Sequence, residues 1–308
     1  MAHKPVLTSE LEEVLGLRRN AKVVDMTFGA GGHAQAIAAR LGADAVIIGL
    51  DQDPIAQEYF YSLQARFRCH SRFILGNFAD GIAELVAEGF TASAVYMDLG
   101  VSSMQIDTPE RGFSYSYDAP LDMRMDPSLM MTAADIVNTW SEADLAHLFS
   151  RYGEERYSRR IARAIVLRRE RQPYSRTCEL VDTIKAAIPT PARFGAGNPS
   201  RRVFQALRIE VNDELNSLKR ALPLAFSLLE TGGVLAVISF HSLEDRIVKE
   251  FFVGKARACT CPPEFPVCVC GGKATGELVT TKPVTPSQLE LELNPRSSSA
   301  KLRAIRRI

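Results

Sequence analysis

Between Lys22 and Asp98, four short apolar runs alternate with helical segments, and this alternation constrains the fold more than any other feature of the 308-residue chain. The runs are Lys22–Phe28, Ala45–Asp51, Arg72–Asn77 and Ala94–Asp98, and the segments between them are Ala34–Leu41, Pro54–Gln64 and Gly81–Glu88. Nearly all the runs are continuously apolar rather than alternating, as in strands covered by helices on both faces. Strand and helix in turn predict an α/β fold with a doubly wound, mostly parallel, Rossmann-like sheet. A fifth run, Val234–Phe240, extends that sheet. The β-prone pieces KPVT and KLRAIRRI near the end of the chain are expected to finish it as a hairpin-like edge.

The rhythm breaks between Asp98 and Val234, where about 130 residues carry little strand signal. A crossover between parallel strands needs only about a dozen residues. Helices are expected at Ala133–Thr139, Glu142–Arg151, Glu155–Glu170 and Thr177–Ala187. The expected organisation is one domain from 1–108 and 200–308, with 109–199 an inserted all-helical subdomain suited to substrate recognition. Arg201–Leu229 is expected as one long amphipathic helix leading back into the sheet.

Composition narrows the class. With 46% hydrophobic and 24% charged residues, the chain has the make-up of an ordinary soluble globular protein. A net charge of +1 gives no global pull on a polyanion, so a nucleic-acid partner must be met by a local patch. No apolar run approaches the roughly 20 residues needed to cross a bilayer. The start, MAHKPVLTSELEE, has no signal-peptide core, which predicts a cytoplasmic location. Six cysteines in a chain of this size do not suggest a secreted disulfide scaffold.

The turn after the first run reads VVDMTFGAGGHA, Val23 to Ala34. Gly29 to Ala34 fits G-x-G-x-x-A, and Asp51 follows at the end of the second run, in the manner of a dinucleotide fingerprint. Any nucleoside cofactor on this fold needs such a ribose acid, so the pattern alone does not choose among cofactors. Asp25 does. A carboxylate four residues before the first glycine disfavours a pyrophosphate and suits a ligand carrying ammonium and sulfonium charges. The segment resembles motif I of S-adenosylmethionine (SAM) methyltransferases. Asp53 before Pro54 is expected to cap the next helix, leaving Asp51 for the ribose. His33 is either a ligand or simply a first-turn helix residue.

Longer stretches extend the resemblance. MDLGVSSMQID ends the fourth run, and ERGFSYSYDAPLDMRMD, RYGEER, RRVFQALRIEVNDEL, ISFHSLEDR and NPRSSSAKLR follow. With HKPVL and DMTFGAGGH, they resemble the 16S ribosomal RNA cytosine-N4 methyltransferases of the RsmH (MraW) type, from His3 to Arg303. The resemblance implies methylation of the exocyclic amine of a cytosine in the decoding region of small-subunit rRNA, with SAM as cofactor and the small ribosomal subunit as partner. It also implies SAM contacts from Gly31, Gly32 and His33, ribose contacts from Asp51, an adenine neighbour in Phe78, and completion of the pocket by Asp98 and Gln105. Position in the runs supports the glycines, Asp51 and Asp98 independently; Phe78 and Gln105 rest on the resemblance. Three departures stand out. The fourth run lacks the D-P-P-Y pattern of many amino-methyltransferases, Met104 stands where the family often has proline, and Ser298 stands where it often has arginine.

An exocyclic cytosine amine is a weak nucleophile because its lone pair is delocalised into the ring. An acceptor must take a hydrogen bond from it as charge develops, and Asp98 is the candidate, with the Leu99 and Gly100 carbonyls as alternatives. A purely cofactor-binding Asp98 is equally open. The target base must leave its stack, and Phe113, Tyr115 and Tyr117 are candidates to receive it, or else pack the insertion. Arg151 to Arg176 holds nine arginines against three glutamates, and Arg296 to Ile308 holds five basic residues and no acid. Both excesses suit RNA phosphates, or plain solvation. Cys259, Cys261, Cys268 and Cys270 could hold zinc or stand as free thiols or a disulfide, so a metal stays unassigned. Ser242 and Asp245 fit a helix capping box after the fifth run, with His241 beside them. The rival readings are an NAD-dependent dehydrogenase and an RNA-binding assembly factor with a relic pocket.

Overall fold

A computed structural model describes residues 5–190, 198–258 and 272–308, with Ser103 given in its backbone only. The first hundred residues form α1 (Thr8–Leu15), β1 (Lys22–Asp25), α2 (Gly32–Ala38), β2 (Val46–Asp51), α3 (Pro54–Gln64), β3 (His70–Leu75), α4 (Phe78–Ala87) and β4 (Ala92–Asp98). Then come a short α5 (Ser103–Ile106) and the helices α6 (Ala133–Thr139), α7 (Glu142–Arg151), α8 (Ser158–Arg169), α9 (Thr177–Ala187), α10 (Pro199–Val211) and α11 (Glu214–Leu228). The chain closes with β5 (Leu229–Ser239), α12 (Ser242–Ala256), β6 (Gly276–Leu278), α13 (Gln288–Leu293) and β7 (Lys301–Arg307).

The seven strands lie in the order β3-β2-β1-β4-β5-β7-β6. β1 to β5 pair in parallel, and β7 runs antiparallel to both β5 and β6. The sheet is therefore doubly wound and mostly parallel. Its order reverses at β1, which pairs with β2 on one side and β4 on the other. A ligand crevice belongs at that switch point, beyond the carboxyl ends of β1 and β4.

Side chains alternate across the strands. Val24, Ile48, Val95 and Met97 meet Leu85 of α4, Leu222 and Phe226 of α11 and Phe252 of α12 in one apolar core. The opposite parity carries Val23 and Ile47, both buried, and also Asp25, Tyr96 and Asp98. Double burial explains the unbroken apolar runs. The strands begin or end a few residues from their expected bounds, and β1 stops at Asp25, where the carboxylate accepts from Thr27 N–H and folds the chain into the turn.

Two compact units divide the chain, one of residues 1–100 with 215–308 and one of residues 101–214. The second therefore starts earlier and ends later than the 109–199 expected from sequence. The late end has a packing cause. The predicted single helix over 201–229 is two helices, broken at Asn212 and at Asp213, whose φ is +49°. The first of them, α10, buries Val203, Phe204, Leu207 and Val211 with Leu145, Phe149, Ile161, Ile165 and Ile184 in the helical unit's own core. Asn212 locks the break, accepting from Met125 N–H at 2.7 Å and donating to Met123 O at 2.8 Å. The edge also differs in detail. β6 at Gly276–Leu278 partners β7, while KPVT contributes only an isolated bridge from Val284 to Leu302.

Candidate active site

At the switch point the glycine turn is braced from beneath. Phe28 packs edge-on against Phe60 and Phe73. A Cβ on Gly31, whose φ is +74°, would lie 2.6 Å from Leu63 Cδ1 and 2.7 Å from Phe28 Cζ. A Cβ on Gly32 would lie 2.8 Å from Pro5 Cγ. Gly31 is favoured both by its positive φ and by this packing, and Gly32 by the approach of Pro5, which leaves backbone N–H groups open to a ligand. Asp51 ties the turn to β2, accepting from Gly29 N–H at 2.8 Å and Asp53 N–H at 2.9 Å. Burial nevertheless pushes its pKa up to about 6. Asp53 caps α3 through Ile55 N–H, with Pro54 in the first turn, as expected.

Four titratable side chains converge beside the turn. Register pairs Asp25 on β1 with Tyr96 on β4, and the Tyr96 hydroxyl donates to Asp25 Oδ2 at 2.6 Å. Burial raises the Asp25 pKa to about 7, against the pull of the Tyr96 hydroxyl and Thr27 N–H. His33, the second residue of α2, is buried with its ring edge-on to Tyr96. Its Nε2 lies 3.4 Å from Asp98 Oδ2. Burial pulls the His33 pKa down, but Asp98, then Asp25 and Glu12, outweigh it and hold it above the usual histidine value. Asp98 is pinned by its backbone N–H donating to Thr27 Oγ1 at 2.6 Å. Its Oδ1 is buried and has no hydrogen-bond partner among the described residues.

Of the residues expected from sequence, His33, Asp98 and the glycines meet in this cluster, with Asp51 at the turn's other edge. Phe78 opens α4, directly after the Asn77 cap, and packs partly buried against the sheet core. Gln105 belongs to the other unit, where its Oε1 accepts from Ser102 N–H at 3.0 Å. Sequence reasoning missed Tyr96 and Thr27. A hydroxyl inside an otherwise apolar run, two residues before Asp98 and so on the same strand face, was the signal for Tyr96.

Several other expectations shift. The cap of α12 is His241 with Glu244, rather than Ser242 with Asp245, because Glu244 Oε2 accepts from Phe240 N–H at 2.8 Å and His241 N–H at 3.2 Å. Asp245 instead receives Arg303 Nε at 2.6 Å. The basic tail is largely spent within its own unit. Besides Arg303, Arg307 donates to the Ser227 and Leu229 carbonyls, and Arg306 lies 3.4 Å from Glu277. Phe113 and Tyr115 pack on the helical unit's core, while Tyr117 is exposed. Cys259, Cys261, Cys268 and Cys270 lie outside the described residues. Among the described residues, no helix is long and apolar enough to cross a membrane.

Chemically, this is a site that repels anions. Carboxylates at Asp51 and Asp98 frame the turn, so a pyrophosphate would meet negative charge where a cationic sulfonium or ammonium meets attraction. The unpartnered Asp98 Oδ1 and the partly buried Phe78 fit a nucleoside that brings a cation and an aromatic ring.

Comparison with known proteins agrees. The profile of the MraW methylase family matches residues 1–308. The Ribosomal RNA small subunit methyltransferase H of Heliobacterium modesticaldum is 50% identical over 99% of this chain and 98% of its own. The protein of the same name in Symbiobacterium thermophilum is 50% identical over 98% and 96%, and that of Geobacter sulfurreducens is 48% identical over 100% and 99%. A solved rRNA methylase from Streptococcus thermophilus aligns over 100% of this chain and 99% of its own at 11% identity and a TM-score of 0.43, a likeness too faint to bear on this chain.

Proposed function

The chain belongs to the MraW methylase family, and from that membership we propose methyl transfer to the N4 amine of a cytosine in the decoding region of small-subunit rRNA. The protein is an S-adenosylmethionine-dependent rRNA small-subunit methyltransferase. We place its substrate within the small ribosomal subunit and its work in the cytoplasm. The observation that carries the reading is the Asp98 carboxylate, held at the switch point with one oxygen beside His33 and the other unpartnered.

S-adenosylmethionine supplies an activated methyl group when bound. The backbone of Gly31 and Gly32, with His33, Asp51, Phe78 and Asp98, would hold it; Gln105 joins them on the family resemblance alone. Asp98 also serves the acceptor amine. Its Oδ1 accepts a hydrogen bond from the cytosine N4–H, which localises the lone pair on nitrogen and aims it. The same oxygen takes the proton that the amine loses as it is methylated. His33 Nε2, 3.4 Å from Oδ2, keeps the carboxylate turned and its charge concentrated. Burial of the cluster excludes water, so these few charges act in a weakly screening environment.

Incubation with methyl-labelled S-adenosylmethionine and unmodified small-subunit particles, followed by nucleoside analysis, tests the reading. N4-methylcytidine is the expected product. Label on another nucleoside would overturn the choice of atom, and no label in RNA would overturn the enzyme.

A further inference from the structure

Arginines of the helical unit fall into two groups. Arg168 pairs with Glu179 at 3.1 Å and lies over the Tyr174 ring at 4.2 Å, Arg176 pairs with Asp118 at 2.7 Å, and Arg202 pairs with buried Glu155 at 2.6 Å. Arg159, Arg160 and Arg163 differ. All three are exposed on α8, and none has an ion pair or side-chain hydrogen bond among the described residues. At 100° per residue they fall within about a 100° arc of the helix, together with exposed Leu167. Ile161, Ala162 and Ile165 occupy the opposite side, in the core. Arg156 stands exposed at the head of this face, laid over the Tyr157 ring and with no carboxylate partner among the described residues.

Local physics opposes this arrangement. Arg159 and Arg163 are like charges at i,i+4, and Arg160 and Arg163 at i,i+3, spacings that repel on a helix surface. Arg159 and Arg160 also crowd the first turn, which has no acid and where the helix dipole disfavours cations. In a chain of net charge +1, three such arginines on one helix face concentrate positive charge where an external anion would relieve the repulsion. Arginine forks match phosphate oxygens in pairs. The face has a single apolar side chain and no aromatic anchor, unlike the core of a protein interface.

We propose that the outward face of α8, formed by Arg159, Arg160 and Arg163, docks on the sugar–phosphate backbone of the RNA substrate. The proposal rests on the reading of the chain as an rRNA methyltransferase and assigns a docking surface remote in sequence from the reacting groups. Each phosphate contact contributes about −0.9 to the log–log salt dependence of binding on duplex, and about −0.7 on single strand.

The test is a salt titration of binding to a full-length small-subunit rRNA transcript. It compares the full chain with the triple variant Arg159→Ala, Arg160→Ala, Arg163→Ala and with a control triple, Lys185→Ala, Lys219→Ala, Lys249→Ala. The control removes equal charge from exposed sites elsewhere. The α8 variant should lose about 2 to 3 from the slope's magnitude, with S-adenosylhomocysteine binding unchanged and thermal melting no lower than wild type, since the substitutions remove like-charge repulsion, while the control barely moves the slope. Equal losses in both variants would reduce the face to net charge and overturn the proposal. Unchanged slope on the transcript with weakened binding to assembled particles would assign the face to a protein partner, and also overturn it. Failure of the wild-type chain to label RNA would sink the enzymatic reading while leaving this slope comparison readable.

Discussion

Asp25, Tyr96, His33 and Asp98 form a network joined by the Tyr96–Asp25 hydrogen bond, the edge-on contact of His33 with Tyr96 and the approach of His33 to Asp98. Asp98→Asn keeps the shape and one acceptor oxygen but removes the charge that localises the amine's lone pair. Single-turnover methylation should fall by about 10²–10³-fold with little change in melting temperature; a wild-type rate would remove Asp98 from the chemistry. Asp25 carries a different signature. Its pKa is about 7 in the folded chain against an ordinary 3.8, so the native state holds its proton while the unfolded chain has lost it. Its contribution to stability is fully present below about pH 4 and is lost as pH rises to about 7, a change of about 4 kcal/mol. Asp25→Asn keeps an acceptor for the Tyr96 hydroxyl and removes the titration. Urea denaturation should show the variant gaining on wild type from pH 4 to 7 and holding its advantage above; a constant difference across that range would mean that Asp25 is ionised in the native state. None of this was legible residue by residue. Asp25 and Asp98 stood out as acids at strand ends, but Tyr96 looked like another apolar strand residue until register set it opposite Asp25.

Elements were legible wherever their signals are local. Pro54–Gln64, Ala133–Thr139, Glu142–Arg151 and Thr177–Ala187 lie where their periodicity and caps predict. The cap of α12 and the break at Asn212 were not, because each depends on a partner supplied by packing. Phe240 N–H selects Glu244 as the box residue, and the Met123 and Met125 backbones hold Asn212 in the break. The turn between β1 and α2 is the element most exposed to test. Gly31→Ala places a Cβ against Leu63 and Phe28 at a positive φ, costing about 1–3 kcal/mol. Chemical denaturation should report that loss, and calorimetry should report weakened S-adenosylhomocysteine binding. Unchanged stability would show that the turn has slack which its packing does not suggest.

At the scale of the molecule, the sheet is finished by its last residues. β7 fills the place between β5 and β6 and buries Leu302, Ala304 and Ile305. A chain ending at Ser299 leaves β5 with an open apolar edge; it should aggregate and lose cooperative unfolding by circular dichroism, and a monomer with a sharp transition would refute that. The acid-lined crevice should give calorimetric heat with S-adenosylhomocysteine and none with NAD, the reverse outcome restoring the dehydrogenase. By itself, the sequence determined the class of fold and the family, since apolar runs, glycine spacing and extended motifs are properties of neighbours along the chain. Tertiary structure alone decided which carboxylate keeps an oxygen unpartnered, which arginines stay without an ion-pair partner among the described residues, and where the helical unit begins and ends. Those outcomes depend on side chains far apart in sequence competing for the same hydrogen bonds and the same buried space, and a linear pattern records the competitors without recording who meets whom.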